Sequence, residues 1–170
     1  MKIGIFANTP AQVHFYGNII KELRKRGHET FLLARDYGET LDLLKESNTP
    51  HYLFSKPPAS KYGKVGKFPL DVLKAFAYLK KCDVDFVTGF GAYDAYTSAL
   101  LRVPSIVFTD SEFTVNAKSY TIQYKLSEPL IDAVITPEAF KQDLGPKQIR
   151  VKSYKELAYL HPNYYNPTDS

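Results

Sequence analysis

The fold of this chain is decided by its amino-terminal stretch, which begins Lys2-Ile3-Gly4-Ile5-Phe6-Ala7. This nearly continuous apolar run is typical of a strand that is buried on both faces of a sheet. Apolar residues then recur at helical spacing from Phe15 to Leu23, with charged residues on the opposite face. Gly27 ends the predicted helix, and residues 28–34 predict a second strand. The stretch is therefore a βαβ unit with parallel strands and a right-handed crossover.

The polar residues of this unit are concentrated in the loop after the first strand, residues 8–14. In an open α/β sheet, this loop lies at the carboxyl edge of the strands, where such folds bind ligands. A second polar segment, residues 35–40, follows the second strand, and Gly89-Phe90-Gly91 follows a further strand predicted at 84–88. We expect all three segments to lie at the same edge of the sheet.

Strand and helix patterns alternate along the rest of the chain. Further strands are predicted at 50–54, 84–88, 104–108, 132–135 and 149–151, and helices at 39–46, 70–81, 92–101, 113–127 and 155–160. Thr136 followed by Pro137 has the pattern of a helix N-terminus. This alternation predicts an α/β, Rossmann-like domain over residues 1–160, with a three-layer αβα architecture and a mainly parallel sheet. Residues 161–170 are expected to be a linker or tail.

Composition and charge exclude several classes of function. The 170 residues include 22 basic and 18 acidic side chains, and a net charge of +4 is too small to indicate nucleic-acid binding. The single cysteine, Cys82, cannot form an intramolecular disulfide and fits a cytoplasmic protein. The four histidines have no metal-ligand spacing, and the chain contains neither a Gly-x-Gly-x-x-Gly fingerprint nor a Walker A loop. We therefore expect no metal and no cofactor.

The whole chain resembles the amino-terminal half of a mostly archaeal family of predicted glycosyltransferases, domain of unknown function 354. The resemblance rests on five stretches in order: 13–29, 34–40, 104–108, 132–140 and 154–162. These include Val13-His14-Phe15, Ala34-Arg35-Asp36-Tyr37-Gly38-Glu39-Thr40 and Asp132-Ala133-Val134-Ile135-Thr136-Pro137-Glu138.

Proteins of this family are similar to GT-B glycosyltransferases and to non-hydrolysing UDP-N-acetylglucosamine 2-epimerases, which have two facing Rossmann-like domains. The resemblance implies that this chain receives a sugar or phosphosugar acceptor. It also implies that a carboxy-terminal GT-B-type domain, or a second chain, holds the nucleotide-sugar. The chain alone is then expected to be inactive, and its oligomeric state is left open by the sequence.

Three residues are candidates for catalysis because they follow predicted strands or begin a helix at the ligand-binding edge: His14, Asp110 and Glu112. A histidine or a carboxylate there can act as general base toward an acceptor hydroxyl. Five residues are candidates for substrate binding, through polar side chains or exposed backbone: Asn8, Arg35, Gly38, Gly89 and Gly91. Each has an alternative structural role, such as helix capping for the carboxylates or a tight turn for the glycines.

Two other functions stay open at the level of the sequence. One is a non-catalytic binding or scaffold module, and the other is half of an epimerase-like enzyme. The epimerases place Gly-Asp after the fourth strand, whereas this chain has Gly89-Phe90-Gly91-Ala92-Tyr93-Asp94. The segment 55–69 contains four lysines and no acid, which suits a phosphate-bearing acceptor or the surface of an anionic membrane, or a solvated loop.

Overall fold

The computed structural model of the chain describes residues 1–57, 63–110 and 118–163. The strands are β1 (Lys2–Ala7), β2 (Glu29–Arg35), β3 (Tyr52–Ser55), β4 (Phe86–Gly89), β5 (Ser105–Phe108), β6 (Ala133–Pro137) and β7 (Gln148–Val151). The helices are α1 (Pro10–Lys25), α2 (Thr40–Glu46), α3 (Gly63–Cys82), α4 (Ala92–Leu101), α5 (Lys118–Ser127) and α6 (Leu157–Leu160), with a 3₁₀ turn at Glu128–Leu130.

All seven strands pair in parallel in one sheet, in the order β3-β2-β1-β4-β5-β6-β7. The chain moves outward in one direction from β1 to β3 and in the other direction from β4 to β7. The direction therefore reverses between β1 and β4, and open α/β folds bind ligands outside the carboxyl ends of the strands at such a reversal. The predicted Rossmann-like α/β class is confirmed.

Helices cover both faces of the sheet, and the central strand β1 contributes to both hydrophobic cores. Ile5 packs with Tyr16 and Ile20 of α1 on one face. Phe6 packs with Leu79 of α3 on the other face. This two-sided burial explains why the sequence of β1 is apolar at successive positions rather than at alternate ones.

The carboxyl end of β6 differs from the sequence prediction. Thr136 and Pro137 do not begin a helix; they are the last residues of β6 and pair with Arg150 and Val151 of β7. The N–H of Glu138 then donates to the carbonyl of Val151 at 2.8 Å. The local pattern is that of a helix start, but pairing with β7 keeps these residues extended, and this interaction is invisible to a local pattern.

Helix α3 begins seven residues earlier than predicted, at Gly63 rather than at residue 70. Pro69 lies inside this helix, where it removes one backbone hydrogen bond. Packing compensates, because the Phe68 ring lies 4.8 Å from the Tyr93 ring of α4. Lys67, from the predicted basic loop, pairs at 3.0 Å with the fully buried Asp71 one turn later. This lysine is therefore committed to a structural ion pair.

The remaining helices match their predictions in part. Helix α5 ends at Ser127, as the prediction of 113–127 has it, but residues 113–117 lie outside the described residues. Helix α6 covers only Leu157–Leu160. Gly27 has a φ of 79°, so the predicted left-handed end of α1 is confirmed.

Candidate functional site

A small pocket with both polar and apolar walls lies at the carboxyl edge of the sheet, where the strand order reverses; we name it the polar pocket for the polar side chains of Asn8, Arg35 and Thr109 that line it. Its volume is about 140 Å³. Asn8 follows β1, Arg35 ends β2 and Gly91 precedes α4, and all three line this pocket. Thr109, directly after β5, also lines it. The sheet thus brings together three of the five residues that the sequence predicts as substrate-binding.

Two polar atoms of this pocket are buried without a hydrogen-bond partner among the described residues. They are the Oδ1 atom of Asn8 and the Nε atom of Arg35. The first is a hydrogen-bond acceptor and the second is a charged donor. Unsatisfied buried polar groups cost free energy, and native structures retain few of them. A ligand with a hydroxyl group and an anionic or carbonyl oxygen complements this pair.

The backbone around Asn8 is held independently of its side chain. The N–H of Asn8 donates to Oε1 of Gln12 at 2.7 Å. Gln12 is the third residue of α1, so this bond ties the loop to the first helical turn. On the other side of the pocket, the guanidinium of Arg35 lies 5.4 Å from the centre of the Tyr37 ring. These contacts fix the backbone at Asn8 and place the guanidinium of Arg35 against an aromatic ring.

Gly89, one of the predicted substrate-binding residues, has a clear structural role. It is buried at the end of β4, and a Cβ atom there would lie 2.5 Å from Cγ of Asp94. The carboxylate of Asp94 occupies this space and accepts a hydrogen bond from the N–H of Gly91 at 3.1 Å. Glycine is required at position 89 because the carboxylate of α4 packs against its backbone.

Asp94 is fully buried, and this burial raises the pKa of its carboxyl group to about 7. The Oδ2 atom has no hydrogen-bond partner among the described residues, whereas backbone hydrogen bonds to the carboxylate lower the pKa. Nearby, the hydroxyl oxygens of Tyr16 and Thr88 lie 3.1 Å apart. Burial also raises the pKa of Tyr16, so this phenol remains neutral. The glycine turn thus rests on a buried polar cluster.

A larger apolar pocket adjoins the polar one, with a volume of about 630 Å³. Phe90 and Thr109 line both pockets, so the two are neighbours along the carboxyl edge. The ring of Phe15 lies 5.1 Å from that of Phe90 and 5.0 Å from that of Phe108. These rings meet edge to face, a favourable arrangement for aromatic pairs.

The carboxy-terminal segment, residues 153–163, forms another side of the apolar pocket. Lys155 in this segment forms an ion pair with Asp110 after β5. The hydrogen bond to Asp110 raises the pKa of the Lys155 ammonium group. The Nδ2 of Asn18 donates to the carbonyl of Ala158 at 2.9 Å, which ties the segment to α1. Asp110, one of the predicted catalytic residues, is therefore engaged in an ion pair that spans 45 positions of the sequence.

The other predicted site residues lie elsewhere. His14 is exposed on α1, and its ring lies 5.7 Å from that of Tyr159 in a separate cavity of about 480 Å³. The structure does not bring it together with Asn8 and Arg35, because the neighbouring Phe15 takes the face of α1 that meets the sheet. Gly38 has a φ of 53°, so an exposed turn explains this glycine. Glu112 lies outside the described residues.

Sequence reasoning missed three residues of this region: Asp94, Thr109 and Lys155. The spacing of Gly91 and Asp94 matches a helix N-terminus with an acidic residue in its first turn, and this local pattern makes Asp94 predictable. Lys155 has no local pattern, since its partner Asp110 is 45 positions away in the sequence. Within the described residues there is no cluster of histidine, cysteine and acidic side chains able to hold a metal ion. No helix among them combines the length and apolarity that a membrane span requires.

No family model matches the chain. A relative in Acinetobacter baumannii strain SDF, UDP-N-acetylglucosamine--N-acetylmuramyl-(pentapeptide) pyrophosphoryl-undecaprenol N-acetylglucosamine transferase, is 28% identical over 136 residues. The match covers 69% of this chain and 37% of the relative. The chain thus spans well under half of the length of that transferase.

Solved structures show the same fold. The crystal structure of Acinetobacter baumannii MurG has a TM-score of 0.62 and 21% identity, and the match covers 84% of this chain and 43% of that one. The UDP-GlcNAc 2-epimerase from Methanocaldococcus jannaschii has a TM-score of 0.63 and 16% identity, and the match covers 81% of this chain and 39% of the epimerase. The Streptomyces glycosyltransferase SsfS6 has a TM-score of 0.57 and 15% identity, and the match covers 88% of this chain and 53% of SsfS6.

These relatives support the GT-B superfamily. The partial coverage is consistent with one Rossmann-like domain of such a two-domain protein. The narrower family named from the sequence, domain of unknown function 354, stays a prediction.

Proposed function

We propose that this chain is the acceptor-side domain of a GT-B-type glycosyltransferase and binds a sugar or phosphosugar acceptor in the polar pocket. The observation that carries the proposal is the pair of buried, unpartnered atoms, Asn8 Oδ1 and Arg35 Nε, in one pocket. A sugar hydroxyl can donate a hydrogen bond to Asn8 Oδ1, and a phosphate or ring oxygen can accept one from Arg35 Nε. The place of the pocket at the reversal of strand order supports a ligand site.

In this proposal, a carboxy-terminal GT-B-type domain or a second chain supplies the nucleotide-sugar, and no turnover occurs without it. The relative from Acinetobacter, a transferase that this chain matches over 37% of its length, supports the need for such a partner. The single cysteine favours a reducing, cytoplasmic environment. The fold of this chain is equally similar to that of MurG and to that of an epimerase. Residues 89–94 lack the Gly-Asp pair that the epimerases place after the fourth strand, which favours a transferase.

Among the predicted catalytic residues, Asp110 fits the proposal as a positioning residue, since its ion pair with Lys155 fixes one side of the cleft. Glu112 is then the better candidate for a general base toward the acceptor hydroxyl. His14 faces a different cavity and is given no part in the chemistry.

The experiment is a titration of the chain with glucose 1-phosphate, inorganic phosphate and UDP. Binding is measured by calorimetry and by changes in amide chemical shifts. We expect glucose 1-phosphate to shift Asn8, Arg35 and Gly91. Arg35→Gln should weaken this binding about 10-fold or more, because a charge-assisted hydrogen bond is lost. Arg26→Gln is the matched control, since Arg26 is exposed at the end of α1. Saturable binding of UDP with shifts at the same residues would overturn the acceptor assignment.

A second proposed property is peripheral contact with an anionic membrane. Leu70 and Leu73 are 60% and 52% exposed on α3, and Ile122 and Leu126 are 58% and 63% exposed on α5. Lys74 follows Leu73 and Lys125 precedes Leu126 in the sequence, and both lysines are exposed. The rings of Phe68 and Tyr96 lie 5.5 Å apart and join α3 to α4. Sedimentation with vesicles that contain anionic lipid, compared with neutral vesicles, tests this property. Leu126→Ser should reduce binding, and unchanged sedimentation of that variant would contradict it.

A further inference from the structure

We infer that the buried carboxyl group of Asp94 controls the binding of anions in the polar pocket, which admits an anion when this group is protonated and repels it when the group is ionised. The inference rests on the proposed function and deepens it by naming the regulation of that site. Asp94 lies in the first turn of α4, and Gly91, Ala92 and Tyr93 at the start of this helix line the polar pocket. The carboxyl group therefore adjoins a wall of the site.

The N-terminus of α4 gives this wall a positive potential that Asp94 can cancel. Aligned peptide dipoles place about half a unit of positive charge at the first turn of a helix, which favours a nearby anion. An ionised carboxylate in the same turn makes the local charge negative. Ionised Asp94 also accepts a hydrogen bond from the N–H of Gly91 at 3.1 Å, so this donor is engaged within the protein. The ionised turn thus offers an anion neither a positive charge nor the Gly91 donor.

The negative charge of Asp94 is poorly compensated by the rest of the protein. The side chain is fully buried, and among the described residues its Oδ2 atom has no hydrogen-bond partner. A Cβ atom at Gly89 would lie 2.8 Å from either carboxylate oxygen, so the backbone of β4 packs directly against the group. A charge in such a place is felt strongly by its surroundings, because little water screens it.

The other titratable groups around Asp94 and the polar pocket keep their charge near neutral pH. Tyr16 of α1 is close to Asp94: burial raises its pKa, and the charge of Asp94 raises it further. Arg35, Tyr93 and Tyr124 line the pocket, and arginine and tyrosine side chains ordinarily titrate well above neutral pH. No histidine of the described residues lines it. Burial raises the pKa of Asp94 to about 7, so a change of charge near this pH belongs to Asp94.

Binding of an anion and protonation of Asp94 are then coupled. An anion in the pocket favours the protonated carboxyl group, so its binding takes up a proton near pH 7. By the same linkage, the affinity for the anion falls as the pH rises through this value. A unit charge that appears several ångströms from a bound anion near a protein surface changes the affinity by about 10-fold.

The test is calorimetry on the chain with inorganic sulfate, which keeps its charge from pH 5 to pH 8, whereas phosphate titrates near pH 6. Measurements in buffers with different heats of ionisation give the number of protons taken up. We expect the affinity of the parent chain to fall about 10-fold between pH 5 and pH 8. Asp94→Asn, which cannot ionise, should keep the affinity that the parent chain has at pH 5 over the whole interval.

The shape of the pH profile separates this role from a merely structural one. If the Asp94 side chain only holds the turn in place, Asp94→Asn lowers the affinity by the same factor at every pH, and that result overturns the inference. Identical pH profiles for the parent chain and Asp94→Asn overturn it as well. Asp42→Asn is the matched control, because this exposed carboxylate lies on α2 and its loss should leave the profile of the parent chain unchanged.

Glucose 1-phosphate and Arg35→Gln distinguish this inference from the proposed function. If glucose 1-phosphate binds through Arg35 with a pH profile that Asp94→Asn leaves unchanged, the proposed function stands and the inference fails. If sulfate shows the profile that depends on Asp94, but glucose 1-phosphate does not compete with it, the control by Asp94 stands and the proposed acceptor function fails. Absence of sulfate binding at pH 5 overturns the inference.

Discussion

Replacement of the buried Asp94 by asparagine should make the protein more stable at neutral and alkaline pH. The carboxyl group has a pKa of about 7 in the folded chain, against an ordinary value of 3.8. The folded state therefore binds the proton more tightly than the unfolded state. Stability falls as pH rises from about 4 toward 7 and levels off above, because the ionised carboxylate is penalised by burial. The asparagine side chain cannot ionise, and its amide oxygen can still accept a hydrogen bond from the N–H of Gly91.

The size of the effect follows from the separation of the two pKa values. A difference of about three pH units corresponds to about 4 kcal/mol of lost stability at full ionisation. Between pH 5 and pH 8, the part of this loss that develops is about 3 kcal/mol. For a domain of this length, the melting temperature changes by roughly 2–4 °C per kcal/mol. The advantage of Asp94→Asn over the parent chain should therefore grow by roughly 6–12 °C over this pH interval.

The assay is thermal unfolding of both proteins at half-unit steps from pH 5 to pH 8, analysed as the difference between them. This difference cancels the titration of the four histidines, which both chains share. Asp42→Asn is the control, because Asp42 is 79% exposed on α2 and its replacement measures the loss of one surface charge. Parallel melting curves for Asp94→Asn and the parent chain across the whole interval would refute the reasoning.

Two further predictions concern the backbone turn and the ion pair of the buried Asp71 carboxylate. Gly89→Ala should cost about 3 kcal/mol of stability, because its Cβ would overlap the Asp94 carboxylate. Gly91→Ala should cost under ~1 kcal/mol, since no atom of the described residues lies within 4 Å of its added Cβ. Urea unfolding measures both losses, and equal losses would contradict the packing argument. Asp71→Ala should cost about 3 kcal/mol, because it leaves the Lys67 ammonium without its 3.0 Å partner and the buried Ser55 hydroxyl without its acceptor at 2.7 Å. The same urea assay measures this loss, and a loss under ~1 kcal/mol would contradict the structural role of the Asp71 carboxylate.

Much of the fold was predictable because its determinants are local. The apolar run of β1, the helical spacing of α1 and the left-handed Gly27 are each visible within a few residues. The alternation of strands and helices then limits the topology, since parallel crossovers are right-handed. The prediction of a helix start at Thr136 and Pro137 is wrong because its determinant is not local: pairing with β7 keeps these residues extended despite the helix pattern.

The candidate site was predictable only in outline. Asn8, Arg35 and Gly91 were expected at one edge because parallel strands share their carboxyl ends, and the structure places them around one pocket. The sequence also predicts His14 at this edge, because it lies near the start of α1, the helix that follows Asn8. In the structure, His14 lines another cavity. One position along a helix turns a side chain by about 100°, so adjacent residues reach different surroundings.

Patterns of neighbouring residues predict most of the elements, their order and the edge of the sheet where α/β folds bind ligands, because periodicity, glycine turns and strand ends are encoded locally. The contents of that edge depend on tertiary packing. It paired Asp110 with Lys155 across 45 positions, buried Asp94 against Gly89, and set an apolar pocket beside the polar one. These features arise from packing between segments far apart in the chain, and no local pattern specifies them.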